Sequence, residues 1–228
     1  MERILEARRS PDLAVLEGFH ALKHALRFGA EILEVVAGDP EHLEQLASAL
    51  APDLEGRFRE LATQEGLPKD EVITVARRPR FDLDAALRRP GPVVYLEAPR
   101  HLGNLGAAIR VAAAADAAAV LTSGHNDPWH PDAIRGSAGL HFALPVARTD
   151  APPHGRRLIA IDPEGEERRV PPDSILAFGS ERHGLSEELR KSADARVRIP
   201  MRAGVSSLNL ATSVAAVLYG LTVPWSTT

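Results

Sequence analysis

The chain has 228 residues, of which 44% are hydrophobic and 25% charged; it carries no cysteine and a formal net charge of −4. Such a length and apolar content suit one large or two small globular domains with real cores, while the lack of cysteine excludes disulfides, thiolate nucleophiles and cysteine-ligated zinc. No apolar stretch approaches the ~20 residues that cross a bilayer, and the charged opening Met1-Glu-Arg-Ile-Leu-Glu-Ala-Arg-Arg9 lacks the apolar centre of a signal peptide, so a cytoplasmic location is expected.

In chain order, residues 15–29 place Phe19, Leu22, Ala25 and Leu26 on one helical face, with Gly29 as the C-cap. Residues 31–37 read as a strand, 42–50 and 56–64 as helices, and 71–76 as another strand, so the first 80 residues read as a small α/β domain. Residues 81–91, in a proline-containing stretch without a strong apolar period, read as a linker around a short helix at 82–87. A second domain is expected over 92–228. Its strands are expected at 93–96, 118–121, 158–161, 175–178 and 195–199, with an Ala-rich helix at 104–117 and an apolar helix at 208–219. Short apolar runs alternating with helices predict an α/β fold with a mostly parallel sheet covered on both faces.

The negative total charge argues against a uniformly basic nucleic-acid binder. Yet Lys23, Lys69 and Lys191 are the only lysines among 27 basic residues; the rest are arginine, clustered as Arg8-Arg9, Arg77-Arg78-Pro-Arg80, Arg88-Arg89, Arg156-Arg157 and Arg168-Arg169. Arginine forks bind phosphate bidentately, so these clusters read either as local basic patches or as the imprint of genome base content. His20 and His24 share a helical face, but with no cysteine and no intervening glutamate the pair gives no metal-site pattern. Trp129, in Asp127-Pro-Trp-His-Pro-Asp132, is either a base-stacking ring or part of a proline-braced packed loop.

Three segments carry the chemistry. Leu102-Gly-Asn-Leu-Gly-Ala-Ala-Ile-Arg110 opens the Ala-rich helix. Leu176-Ala-Phe-Gly-Ser-Glu-Arg-His-Gly-Leu-Ser186 and Ile199-Pro-Met-Arg-Ala-Gly-Val-Ser-Ser-Leu-Asn209 read as strand ends feeding glycine-containing loops, which offer main-chain groups at the carboxyl edge of a sheet. Residues 178–179, 199–201 and 208 could line an apolar slot for a small ligand, or be ordinary core. Asn104 reads as a helix N-cap or as a site residue, and Ser207 and Asn209 as ligand contacts or as caps of the last helix. Glu181 reads as a loop-surface carboxylate or as an orienting group. Arg110, set among Ala and Ile, does not fit a solvated surface position.

In order and spacing these three segments resemble the motifs of the SpoU/TrmH family of RNA ribose 2'-O-methyltransferases, within the SPOUT superfamily, over roughly residues 90–223. The resemblance implies a knotted parallel-sheet SPOUT methyltransferase domain with a carboxyl-terminal trefoil knot, a homodimer, and S-adenosyl-L-methionine as cofactor. It implies that Phe178, Gly179, Ser180, Ile199, Met201 and Leu208 hold the cofactor and that Asn104, Arg110, Glu181, Ser207 and Asn209 serve catalysis. The first domain, through Leu16-Glu-Gly-Phe-His-Ala-Leu-Lys23, is similar to the substrate-binding domain some members carry, which favours ribosomal RNA over transfer RNA. A transfer-RNA methylase, a non-catalytic RNA-binding protein of the same fold and a generic nucleotide-binding α/β protein are the alternatives. Two positions depart from the family: Ala203 stands where glycine is frequent, with Gly204 following, and Arg100-His101 stands where a further asparagine is frequent.

Overall fold

The computed structural model describes residues 2–64, 67–69 and 71–222. In chain order its first elements are α1 (Glu2–Ala7), β1 (Leu13–Glu17), α2 (Phe19–Arg27), β2 (Ile32–Ala37), α3 (Pro40–Leu50), α4 (Glu55–Leu61), β3 (Ala62–Gln64) and β4 (Val72–Arg77). They are followed by α5 (Leu83–Arg88), β5 (Val93–Leu96), α6 (Leu102–Ala114), β6 (Ala119–Thr122), α7 (Pro131–Gly136), β7 (Val146–Arg148), β8 (Leu158–Glu166), β9 (Ile175–Phe178), α8 (Glu187–Ser192), β10 (Ala195–Val197) and α9 (Leu210–Thr222).

Two compact units result: Met1–Arg80 with Trp129–Ala143, and Phe81–Pro128 with Leu144–Thr228. In the first unit the sheet order is β1-β4-β2-β3, with β4 antiparallel to both neighbours and β3 parallel to β2. Phe19, Leu22 and Leu26 recur at helical spacing along α2 and bury against Val35, Leu43 and Phe58; full burial of each such side chain stabilises by about 1.5–3 kcal/mol. Asp39 accepts the His42 N–H at 3.1 Å and Pro40 follows it, which starts α3. Two expectations change here. The helical pattern at 15–29 is a strand and then a helix, because Gly18 (φ 91°) breaks the chain between them, and residues 62–64 leave the expected helix to pair with β2.

Trp129 is buried beside His141 and Phe142, at ring centroid distances of 5.0 and 5.3 Å, and the Arg78 guanidinium lies 6.0 Å from its ring. It is therefore a core side chain of the first unit, although its sequence position falls within 92–228. Residues 81–91, expected to be a linker, belong to the second unit, where Phe81, Leu83 and Leu87 pack on the sheet core.

The second unit is built on a parallel sheet of order β10-β8-β9-β5-β6-β7. Every residue of β5, β6 and β9 is buried, the signature of strands covered on both faces. On α6, Leu105, Gly106, Ala108, Ile109 and Ala112 are buried, and α9 packs against this helix with Leu210, Val214, Val217 and Leu218 inward. Short side chains along α6 let the two backbones come close. Between Arg196 and Val197 the pairing of β10 with β8 jumps from Ala160 to Glu166, while Ile161 still pairs with Phe178 of β9, so residues 162–165 of β8 bulge out of the ladder.

Candidate functional site

Strand ends of β8, β9 and β10 meet around a cleft of about 310 Å³ in the second unit. Phe178, Gly179, Ser180 and Glu181 come from the end of β9, Ile199 and Met201 from the segment after β10, and Ser207 and Leu208 from the approach to α9. Eight of the eleven residues expected from sequence thus line one cavity. A crevice at the carboxyl ends of parallel strands is where open α/β sheets offer main-chain groups to ligands.

The loop after β9 closes on itself: Ser180 and Gly184 exchange two backbone hydrogen bonds of 3.0 Å. A Cβ on Gly179 would collide with the backbone of Gly184 and Leu185, so only glycine allows this approach. From outside, the Glu97 carboxylate accepts the Ser186 N–H and the Ser186 hydroxyl, each at 2.6 Å, while Ser186 caps α8. Glu97 in turn donates its own N–H to the Phe178 carbonyl at 2.8 Å.

Glu181 reaches the first motif. Its carboxylate accepts the Arg100 N–H at 3.0 Å, the His101 N–H at 3.4 Å and the Asn104 side-chain amide at 3.0 Å. Burial pushes the Glu181 carboxyl upward, but these donors outweigh it and hold the group below its ordinary value. Because Arg100 and His101 contribute main-chain N–H groups, the absence of the family's further asparagine leaves this contact intact. Asn104 sits in the first turn of α6 rather than at its N-cap, which is His101, and its Oδ1 accepts the Asn209 amide at 3.1 Å. Asn209 does both things the sequence left open: it bonds Asn104, and its Oδ1 accepts the N–H groups of Ala211 at 2.9 Å and Thr212 at 3.4 Å at the start of α9. Ser207 lines the cleft and is exposed, and its hydroxyl makes no hydrogen bond among the described residues. The third loop turns at Gly204 (φ 87°), one residue after Ala203.

Arg110 is placed otherwise. It is exposed, while Ala108 and Ile109 beside it are fully buried, because the helical period turns it outward. Its apolar sequence neighbours therefore gave the wrong expectation of its surroundings. It lies outside the cleft lining and has no hydrogen bond or ion pair among the described residues. Asn104 and Asn209 also stand outside the lining, tied to it through Glu181.

Left out of the sequence expectations are Asp162, Arg190 and Arg182 of the same cleft. Asp162 is buried; its carboxylate lies 2.9 Å from Arg190 Nε and 3.2 Å from Arg196 Nη2, and accepts the Glu164 N–H at 2.8 Å. The available signal was Ile161-Asp-Pro163 directly after an apolar run, a third strand end beside the two recognised. Asn126 was missed too: its amide donates to the carbonyls of Pro99 at 2.7 Å and Arg100 at 3.0 Å, bracing the first motif. Among the described residues no group of three or more His, Asp or Glu could hold a metal ion, and no helix is long and apolar enough to cross a membrane.

Residues 91–219 match the family model described as the SpoU rRNA Methylase family. A 23S rRNA (uridine(2479)-2'-O)-methyltransferase of Streptomyces viridochromogenes is 33% identical over 190 residues, which cover 75% of this chain and 65% of that protein. The 23S rRNA (guanosine(2553)-2'-O)-methyltransferase RlmP of Bacillus subtilis is 25% identical over 227 residues, covering 94% of this chain and 90% of its own length. Among solved structures, the SpoU methyltransferase AviRb from Streptomyces viridochromogenes, in complex with the cofactor AdoMet, superposes with a TM-score of 0.77 at 22% identity, covering 97% of each chain.

Proposed function

Because the chain belongs to the SpoU rRNA methylase family, we propose that it transfers a methyl group from S-adenosyl-L-methionine to a ribose 2'-hydroxyl of ribosomal RNA. The observation that carries this reading is the convergence of three strand-end loops on one cleft, with Glu181 tied to Asn104 and Asn104 to Asn209. The residues present suit the cofactor. Phe178, Ile199, Met201 and Leu208 form an apolar wall, Ser180 and Ser207 add hydroxyls, and the volume falls at the lower end of small-molecule sites. When bound, the sulfonium supplies an electrophilic methyl group for in-line displacement.

The chain's own groups then have separate tasks. Gly179, Ser180 and the apolar wall hold the donor. Glu181, kept ionised by its three donors, fixes the first motif against the second. Arg110 clamps the phosphate next to the target or the hydroxyl oxygen; a guanidinium has no acceptor while charged, so the hydroxyl proton leaves to water or to a phosphate oxygen. Positioning of this kind is worth up to about 7–11 kcal/mol of a barrier, which makes a strong base unnecessary. The family resemblance further supports a carboxyl-terminal trefoil knot and a cytoplasmic homodimer. Exposed Val205, before α9, and Tyr219, on it, favour pairing through that region, and the first unit is assigned to RNA binding.

Incubation with methyl-labelled donor and separated RNA pools tests the reading. Label in riboses of the ribosomal pool is expected. Label confined to transfer RNA would move the substrate to that class, and donor binding without turnover would leave a non-catalytic RNA-binding protein.

A further inference from the structure

The arginine pairs of the sequence part company in the fold. Arg8 pairs with Glu17 and Arg77 with Glu31. Arg156 donates to the carbonyls of Leu87, Arg89 and Gly91, each at 2.5 Å, and so closes the end of α5. Its neighbour Arg157 instead joins Arg168 and Arg169 around a second cavity of about 180 Å³, over Ile159 and Val197.

None of these three guanidinium groups has an ion pair or side-chain hydrogen bond among the described residues, and all three residues are exposed. Elsewhere in the unit Arg190, Arg196 and Arg198 are matched with Asp162, Glu164 and Glu167. One carboxylate, Asp194, lines the cavity, but its Oδ2 already accepts the Leu158 N–H at 2.8 Å. Three cations against one engaged carboxylate leave a concave surface of net positive charge. Like charges gathered without partners repel, and an anion with several oxygens relieves the repulsion while filling the planar forks. Arg157 precedes β8 and Asp162 of the cleft lies five residues further on, about 16 Å along an extended strand. A stacked nucleic-acid strand covers that span in about five nucleotides at ~3.4 Å each.

We propose that the Arg157, Arg168 and Arg169 cavity is a backbone-phosphate site that holds the RNA strand a few nucleotides from the methylated ribose, an assignment that rests on the RNA methyltransferase reading. These contacts add affinity without reading sequence.

The test compares the wild type with the Arg157→Ala, Arg168→Ala, Arg169→Ala triple variant, using a fluorescein-labelled RNA hairpin titrated at several KCl concentrations. Loss of the phosphate contacts should reduce the slope of log affinity against log salt by about 2, at roughly 0.7–0.9 per contact, and the corresponding triple lysine variant should keep most of it. Donor uptake, measured separately by calorimetry, should be equal in all three proteins, because these residues lie outside the cleft. Equal salt slopes for the wild type and the alanine variant would overturn the proposal. So would calorimetric binding of inorganic phosphate to the wild type with the hairpin slope unchanged, which marks a small-anion site. Absence of donor uptake in the wild type would instead sink the methyltransferase reading, and the slope comparison would still decide the RNA contact.

Discussion

Asn209 donates its side-chain amide to Oδ1 of Asn104 at 3.1 Å, joining residues 105 positions apart in the sequence. The same side chain caps α9 through its other atom, so one residue fixes both the start of the last helix and its register against the first motif. Asn209→Ala should lower stability by about 1 kcal/mol through the lost cap and also slow methyl transfer. Asn209→Ser retains a capping hydroxyl but does not reach Asn104. Thermal unfolding should therefore recover in the serine variant while transfer stays low; joint recovery of both would reduce Asn209 to a cap.

Glu181 links stability to pH. Its folded pKa is depressed, so below the ordinary glutamate value the unfolded chain binds more protons than the folded one. Its contribution is fully present above about pH 4.3 and is lost as pH falls from there through the lower folded value. Urea midpoints between pH 3 and pH 6 should fall less steeply toward acid for Glu181→Gln than for the wild type. Parallel curves would show that the carboxylate gains nothing from its donors.

Two glycines near the site should respond oppositely to alanine. Gly179→Ala drives a methyl group into the Gly184 and Leu185 backbone, which must displace the loop and abolish donor uptake. Gly103→Ala, on α6, meets nothing within 4 Å and should raise stability by roughly 0.5–1 kcal/mol. Calorimetry and thermal melts on both variants separate a loop-specific effect from a general intolerance of bulk.

Arg110 has no partner to lose within the described chain. Arg110→Ala should leave the melting temperature and donor affinity near wild type while reducing the transfer rate on the order of 10²–10³-fold, the loss typical of a positioned charge-stabilising group. Single-turnover kinetics with labelled donor gives the answer, and a fully active variant removes Arg110 from the mechanism.

Sequence alone determined what depends on local pattern. The all-apolar runs at 93–96 and 175–178 announce strands covered on both faces, the glycine-containing loops after the strands announce main-chain groups at a sheet edge, and Asn209 offers a cap for the last helix as one of two readings, because each of these is written within a few residues. Tertiary structure alone decided what depends on contacts across the chain: that Glu181 reaches Asn104, that Asp162 enters the cleft from the bulge within β8, that Trp129 is a core ring, and that Arg157 stands with Arg168 and Arg169 rather than with its neighbour. The physical reason is that a side chain's type sets what it can bond, whereas its partner is set by where distant backbone segments pack, and no short-range pattern encodes that.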